Sequence, residues 1–304
     1  MKVLVTGGAG FIGSNVAKIL EGRGDKVFIL DNFSHSSYKN LLDLKADVIC
    51  GDITDQSLYN KLPSVDAVVH EAAITDTTLL DDTMMMNVNY NGSKNVLNFC
   101  LNNNIPLVYA SSAGVYGESK PPMREEEGLT PHNTYGYSKF LFDCHVKTIF
   151  KDPSSPRIVG LRYFNVYGPR EYHKGLAASM TYQLYLQMIS GKSPRVFKHG
   201  EQKRDFIYVK DVARITVEAL VSSESAILNV GTGTPRSFND IIAAINQALK
   251  TDLKPDYFDN PYGDKYQNFT QADTSLLSKI LKTQAKFSLE EGISDYINFH
   301  LEKK

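Results

Sequence analysis

Short apolar runs alternate with longer stretches whose apolar residues recur every three or four positions, and this alternation fills the first half of the chain. Val3–Thr6, Val27–Leu30, Asp47–Cys50, Ala67–His70 and Leu107–Ser111 read as strands. Between them, Phe11–Arg23, Gln56–Lys61 and Thr83–Asn103 read as helices. A further helix from Ser138 to Phe150 leads into a strand at Ile158–Tyr163. Strands that are apolar throughout, separated by helices, predict an α/β fold with a doubly wound parallel sheet covered on both faces. Beyond Gly168-Pro169 the pattern loosens into loops, as in a smaller lobe, yet Ile227–Val230 reads as a strand again. The smaller lobe is therefore expected to be interleaved: residues 1–165 with 205–235 form one domain, and 166–204 with 236–304 the other.

The turn after the first strand carries Gly7, Gly10 and Gly13, spaced Gly-x-x-Gly-x-x-Gly, with Phe11 and Ile12 between the last two. Strand, glycine turn and helix together make a phosphate cradle. The first glycine permits the tight turn, the second lets backbone approach a pyrophosphate, and the third lets the helix pack closely on the sheet. The first N–H groups of the helix then face the anion. Asp31 ends the second strand about twenty residues on, where a carboxylate accepts hydrogen bonds from an adenosine ribose. The predicted partner is NAD or NADP, held on a Rossmann-like domain. Asp31 by itself repels a 2′-phosphate and favours NAD, whereas the donors that follow, Asn32, Ser34, His35, Ser36 and Lys39, suit a phosphate. Asp52 and Ile53 are placed at the adenine edge, and Ala72 and Ala73 leave room for the dinucleotide backbone. Asn87 and Asn95 lie on the long helix and read either as cofactor contacts or as surface; Asn87 is the candidate contact.

Charge narrows the choice of partner. Lys and Arg number 33 against 34 Asp and Glu, a formal net charge of −1 with no long block of either sign. That gives no electrostatic footing for nucleic acid or an anionic membrane surface. No apolar stretch is long enough to span a bilayer, and the N-terminus lacks the layout of a signal peptide. Cys50, Cys100 and Cys144 are odd in number and widely spaced, without metal-ligand pairing; they read as reduced, mostly packed thiols of a cytoplasmic protein.

Tyr135 and Lys139 stand one helical turn apart, so phenol and ammonium share a face. A free phenol, with a pKa of about 10, is a poor base at neutral pH. A cation about 6 Å away, at an effective dielectric near 20, contributes roughly 3 kcal/mol, or about two pKa units, toward a useful range. Ser112, at the end of the preceding strand, is placed to hydrogen-bond the substrate oxygen, with Ser111 as the alternate.

Thr6 to Gly13, Asp31-Asn32, Ser111-Ser112, Tyr135-x-x-x-Lys139 and Arg162-Tyr163-Phe164-Asn165-Val166-Tyr167-Gly168-Pro169-Arg170 occur in this order along essentially the whole chain. Together they resemble the extended short-chain dehydrogenase/reductase family. The resemblance implies a tightly held nicotinamide dinucleotide in the first lobe, a nucleotide-sugar in the second, and a homo-oligomer. It places Tyr163, Phe164 and Val166 along the cofactor, and Thr75 and Asn165 at the substrate.

The segments Gly168–Gly175, Gly200–Val209 and Tyr266–Asp273, with Tyr137–Asp143, are similar to the ADP-glyceromanno-heptose 6-epimerase branch of that family. By that similarity Lys174 is a second acid/base, Asn165 and Arg204 hold substrate, and Tyr266 contacts the nucleotide-sugar. Epimerisation through a planar ketone needs proton transfers on two faces of one carbon, which Tyr135 and Lys174 would supply from opposite sides. Arg204 offers a planar fork suited to a diphosphate. Two positions depart from the branch: Leu176 stands in place of a serine, and Tyr38 in place of a lysine, with Lys39 one step along. A UDP-hexose 4-epimerase, or another nucleotide-sugar epimerase or reductase of the family, is the alternative expectation.

Overall fold

The structure, a computed structural model, describes residues 1–76, 81–260 and 269–302. In chain order the strands are β1 (Lys2–Thr6), β2 (Lys26–Asp31), β3 (Asp47–Cys50), β4 (Ala67–His70), β5 (Leu107–Ser112), β6 (Ile158–Tyr163) and β7 (Asn165–Tyr167). They continue as β8 (Arg195–Phe197), β9 (Lys203–Arg204), β10 (Phe206–Tyr208), β11 (Ala226–Val230), β12 (Arg236–Ser237) and β13 (Asp256–Phe258). The helices are α1 (Phe11–Gly22), α2 (Asp82–Met86), α3 (Ser93–Asn103), α4 (Thr134–Ile149) and α5 (Met180–Ile189). After them come α6 (Val209–Ala219), α7 (Phe238–Leu249), α8 (Ser275–Leu281) and α9 (Leu289–Glu302).

Seven strands form one sheet in the order β11-β6-β5-β4-β1-β2-β3, every pair parallel. Strands this apolar must be covered twice. On one face α1 and α6 pack together and bury Val16, Leu20, Val212 and Ile215 against the sheet. On the other, Val96 and Leu97 of α3 and Phe142 and Val146 of α4 do the same. Each such side chain stabilises the fold by about 1.5–3 kcal/mol. The strand order reverses between β1 and β4, and ligands of such sheets bind beyond the carboxyl ends of the strands at that switch.

β11 closes the sheet beside β6 although about sixty residues separate them in the chain. The segments between and after them form small pairings: β10 with β7, β12 with β9 and β13 with β8. Leu184 and Met188 of α5, Ile241 and Ile245 of α7, and Ile293 and Ile297 of α9 share a second core beneath these pairings.

Three elements differ from the sequence reading. The long helix expected over Thr83–Asn103 is composite: α2 and α3 flank a π-helical turn, Asn87–Gly92. α4 begins at Thr134, four residues before the expected start, because Asn133 caps it by accepting from the Gly136 N–H at 2.8 Å. Tyr135-Gly136-Tyr137 carries little apolar periodicity, so the cap rather than the pattern marks the start. Gln56–Lys61 is a 3-10 turn capped by Asp55. The cysteines are not mostly packed as expected: Cys100 is buried on α3, but Cys50 and Cys144 are exposed. Among the described residues no helix is long and apolar enough to cross a membrane, and no group of three side chains could hold a metal ion.

Candidate active site

A cavity of about 710 Å³ opens beyond the carboxyl ends of β1 and β4, and Lys174, Arg204 and Phe238, from beyond β7, also line it. Gly7 turns the chain out of β1 at φ +66°, and a Cβ there would stand 2.6 Å from the Ala72 nitrogen. The backbones after β1 and β4 thus meet at a separation only glycine permits. Gly13 serves a purpose other than the one expected. The space its missing Cβ leaves is taken by the Gly7 carbonyl oxygen, 2.3 Å from the ideal position, so helix packs on glycine turn rather than on sheet. Gly10 caps α1 without a side chain. Gly7, Gly10, Phe11, Ile12 and Gly13 all line the cavity, and the bare cradle they make suits a pyrophosphate.

The Asp31 carboxylate is buried at the end of β2, where it fastens two loops. Oδ2 accepts from the Ala9 N–H at 3.0 Å, and Oδ1 from the Phe33 N–H and the Ser36 hydroxyl, both at 2.8 Å. Asn32 donates to Asp52 at 2.8 Å, and Asp52 also takes the Thr54 N–H and hydroxyl. Asn32, Asp52, Ile53, Ala72, Ala73 and Thr75 line the cavity, as do Tyr163, Asn165 and Val166. Asn87 does not. It is exposed and accepts from the Asn91 amide at 3.3 Å, because the inward face of this turn is the one that carries the buried Asn89, two residues on. Asn95 instead ties down the loop after β3 through the carbonyls of Ile53 and Thr54. Tyr266 lies outside the described residues.

The chemistry-bearing groups converge from two elements. Ser111 and Ser112 end β5, while Tyr135 and Lys139 come from the first turns of α4. The two serines divide the work. Ser111 is buried and donates to Asp143 at 3.1 Å, whereas the Ser112 oxygen faces the cavity and pulls the Tyr135 phenol down by hydrogen bonding. The Lys139 ammonium donates to the Ala110 carbonyl at 2.9 Å. The expected acidification of Tyr135 by Lys139 is not what prevails. Burial pushes the phenol above its ordinary value, and the neighbouring Glu71 charge adds to that push. Lys139 is itself desolvated, to about 8, despite the carboxylates of Glu71 and Asp143.

Two residues missed in the sequence belong here. Glu71 follows the buried His70 and lines the cavity; its carboxylate accepts from Tyr163, and burial pushes it up to about 7. Asn89, fully buried in the π-helical turn, reaches Ile74 of the loop after β4 and Ser138 of α4. The first looks in the sequence like any solvated acid that follows a strand. The second required knowing that a π-helical turn replaces a regular one.

Lys174 rides on a 3-10 turn, Tyr172–Ala177, and reaches the cavity with its ammonium 5.8 Å from the Phe11 ring centre. Burial lowers its pKa, while Glu171 and Asp76 act in the opposite sense. Leu176, two residues on, is 93% exposed and faces away from the cavity. Arg204, buried on β9, lines the cavity, and the adjoining Asp205 is turned into the protein to accept from the backbone of Thr232, Gly233 and Ala272.

Comparison with known proteins gives a consistent picture. The model of the NAD dependent epimerase/dehydratase family matches residues 3–231. Among solved structures, the chain is 37% identical to the ADP-L-glycero-D-manno-heptose-6-epimerase of Helicobacter pylori, over 100% of this chain and 96% of that one, with a TM-score of 0.92. It is 30% identical to the UDP-N-acetylglucosamine 4-epimerase of Methanobrevibacter ruminantium in complex with UDP-N-acetylmuramic acid, over 100% and 99%, with a TM-score of 0.92. The UDP-glucose 4-epimerase of Thermus thermophilus in complex with NAD is 28% identical over 98% of both chains, with a TM-score of 0.84.

Proposed function

Because the chain belongs to the NAD-dependent epimerase/dehydratase family, and so to the NAD-dependent nucleotide-sugar epimerases, we propose that it inverts one carbon of ADP-glyceromanno-heptose. The observation that carries the reading is the gathering of Ser112, Tyr135 and Lys139 on one wall of a single cavity, with Lys174 and Arg204 brought to it by the other lobe. The lobe built from 166–204 and 236–304 then serves as the substrate half.

A nicotinamide dinucleotide supplies, when bound, an acceptor and donor of hydride. The bare glycine cradle and the Asp31 carboxylate fit its pyrophosphate and adenosine ribose. Of the two dinucleotides we propose NAD: Asp31 faces the cavity as a carboxylate, Tyr38 stands exposed where the heptose branch has lysine, and Lys39 does not line the cavity. Ser112 holds the sugar oxygen, and Tyr135 takes the hydroxyl proton as the ketone forms, so that the proton returned on reduction at the opposite face comes from a second group. Lys139, held by the Ala110 carbonyl, keeps a positive charge beside the phenol. Lys174 carries the proton on the opposite face, and Arg204 grips the diphosphate.

A second reading, UDP-hexose 4-epimerisation, is favoured by Leu176, whose side chain faces solvent where the heptose branch has serine. Purified protein offered ADP-glyceromanno-heptose, UDP-glucose and UDP-N-acetylglucosamine in parallel separates the two. The expected result is epimer formation from the ADP-heptose with no net build-up of reduced cofactor. Turnover of UDP-sugars alone supports the second reading, and stoichiometric reduced cofactor over many turnovers would replace both with a dehydrogenase.

A further inference from the structure

The strap that carries Lys174 leaves β7 at Gly168 and enters α5 at Ser179, and both ends meet on one carboxylate. Glu171, 1% exposed, accepts through Oε1 from the Gly168 N–H at 3.0 Å and the Ser179 hydroxyl at 2.9 Å. Its Oε2 accepts from the Ser179 N–H at 2.6 Å, at the N-terminus of α5. A fourth donor comes from far along the chain: the Tyr296 hydroxyl on α9 reaches Oε1 at 3.0 Å. The Glu171 carbonyl also accepts from the Lys174 N–H at 3.0 Å, which winds the strap into its 3-10 turn. His300 stacks on Tyr182 and Tyr185, whose rings pack against Tyr296.

A carboxylate buried without donors costs several kcal/mol, so three donors from the ends of the strap and a fourth from α9 hold it in a single place. None of the steps assigned to Tyr135, Ser112 or Lys139 uses it.

We propose that Glu171 is a positioning residue that clamps the strap 168–179 so that Lys174 presents its ammonium to the cavity. The inference rests on reading Lys174 as the second acid/base. Electrostatics supports the geometry. Glu171 favours the charged form of Lys174, as does Asp76 from the loop after β4, and the adjoining His173 is the other titratable group beside the ammonium. Facing Glu171 itself are the phenols of Tyr296 and Tyr182.

Full-length Lys174→Ala, Glu171→Gln and Tyr296→Phe enzymes are compared on whichever of the three nucleotide-sugars the wild type epimerises. Dimethyl-lysine NMR with ¹³C labelling follows the Lys174 titration. Glu171→Gln should lower kcat about tenfold or more with KM within about threefold, and should lower the Lys174 midpoint. Tyr296→Phe, which keeps the charge and removes one donor, should lower kcat about threefold with no change in far-ultraviolet circular dichroism. It carries the test if Glu171→Gln does not fold. Wild-type kcat and an unmoved Lys174 midpoint in Glu171→Gln, or wild-type kcat in Tyr296→Phe, would overturn the clamp while a deep loss in Lys174→Ala leaves the lysine's own role standing. A fully active Lys174→Ala enzyme would overturn both.

Discussion

The side-chain amide of Asn89 grips both backbone groups of Ile74, accepting from its N–H at 2.8 Å and donating to its carbonyl at 2.9 Å. The same amide lies 3.3 Å from the Ser138 hydroxyl on α4, between Tyr135 and Lys139. One side chain therefore sets the loop after β4 against the helix that carries Tyr135 and Lys139. Asn89→Ala leaves a buried N–H and C=O without partners and should cost about 2–4 kcal/mol. Urea unfolding measures the loss; a change below about 0.5 kcal/mol would mean that the loop finds other partners.

That residue also marks where sequence reading stopped. The strands were legible because a sheet buried on both faces demands unbroken apolar runs, and Gly7, Asp31 and Tyr135 because turn geometry and helical spacing fix their places. Asn89 was not legible: its position depends on a π-helical turn, which regular helical spacing misplaces toward Asn87. The role of Glu171 was equally hidden. Three of its four donors lie within eleven residues, but the fourth, Tyr296, is 125 residues away and is brought near only by the second core.

Tyr135→Phe removes the proton relay without touching the dinucleotide cradle. Turnover should fall at least about a thousandfold while NAD binding stays within about threefold. Ser112→Ala adds a diagnostic. The Ser112 hydrogen bond holds the phenol down against burial, so its loss should move the activity profile toward alkaline pH. A profile that keeps its position while kcat falls would assign Ser112 to holding substrate alone.

Asp31→Ser should change cofactor preference. The carboxylate repels a 2′-phosphate, and its removal should lower the ratio of NAD to NADP affinity about tenfold or more. Because Asp31 also holds the Ala9 and Phe33 N–H groups and the Ser36 hydroxyl, absolute affinity for NAD should fall as well. Calorimetric titration of both dinucleotides gives the ratio, and an unchanged ratio would place the discrimination elsewhere.

Gly13→Ala tests the cradle itself. Its Cβ would sit 2.3 Å from the Gly7 oxygen and 2.9 Å from the Gly8 Cα. Backbone opposes backbone there, and nothing flexible can yield. The substitution should destabilise the fold by about 1–3 kcal/mol and weaken dinucleotide binding about tenfold or more. Thermal unfolding with and without NAD reads both, and an intact NAD-induced rise in Tm would show that the turn can give way.

His70 should set part of the acid limit of stability. The ring is fully buried between the Thr6 hydroxyl at 2.7 Å and the Ser93 hydroxyl at 2.8 Å. Burial, with the Lys139 charge assisting, lowers its pKa to about 3. In the unfolded chain the ring protonates near about 6.5, so between these two values the unfolded state binds the extra proton and is favoured. Stability from this residue is intact above about pH 6.5 and is lost as pH falls, by about 3 kcal/mol at about pH 4.5. His70→Gln can still bond one of the hydroxyls and does not titrate. It should be less stable than wild type by about 1–2 kcal/mol at neutral pH. Denaturant unfolding between neutral and acid pH should then show the gap closing as pH falls; parallel decline of the two proteins would move the acid sensitivity to other groups.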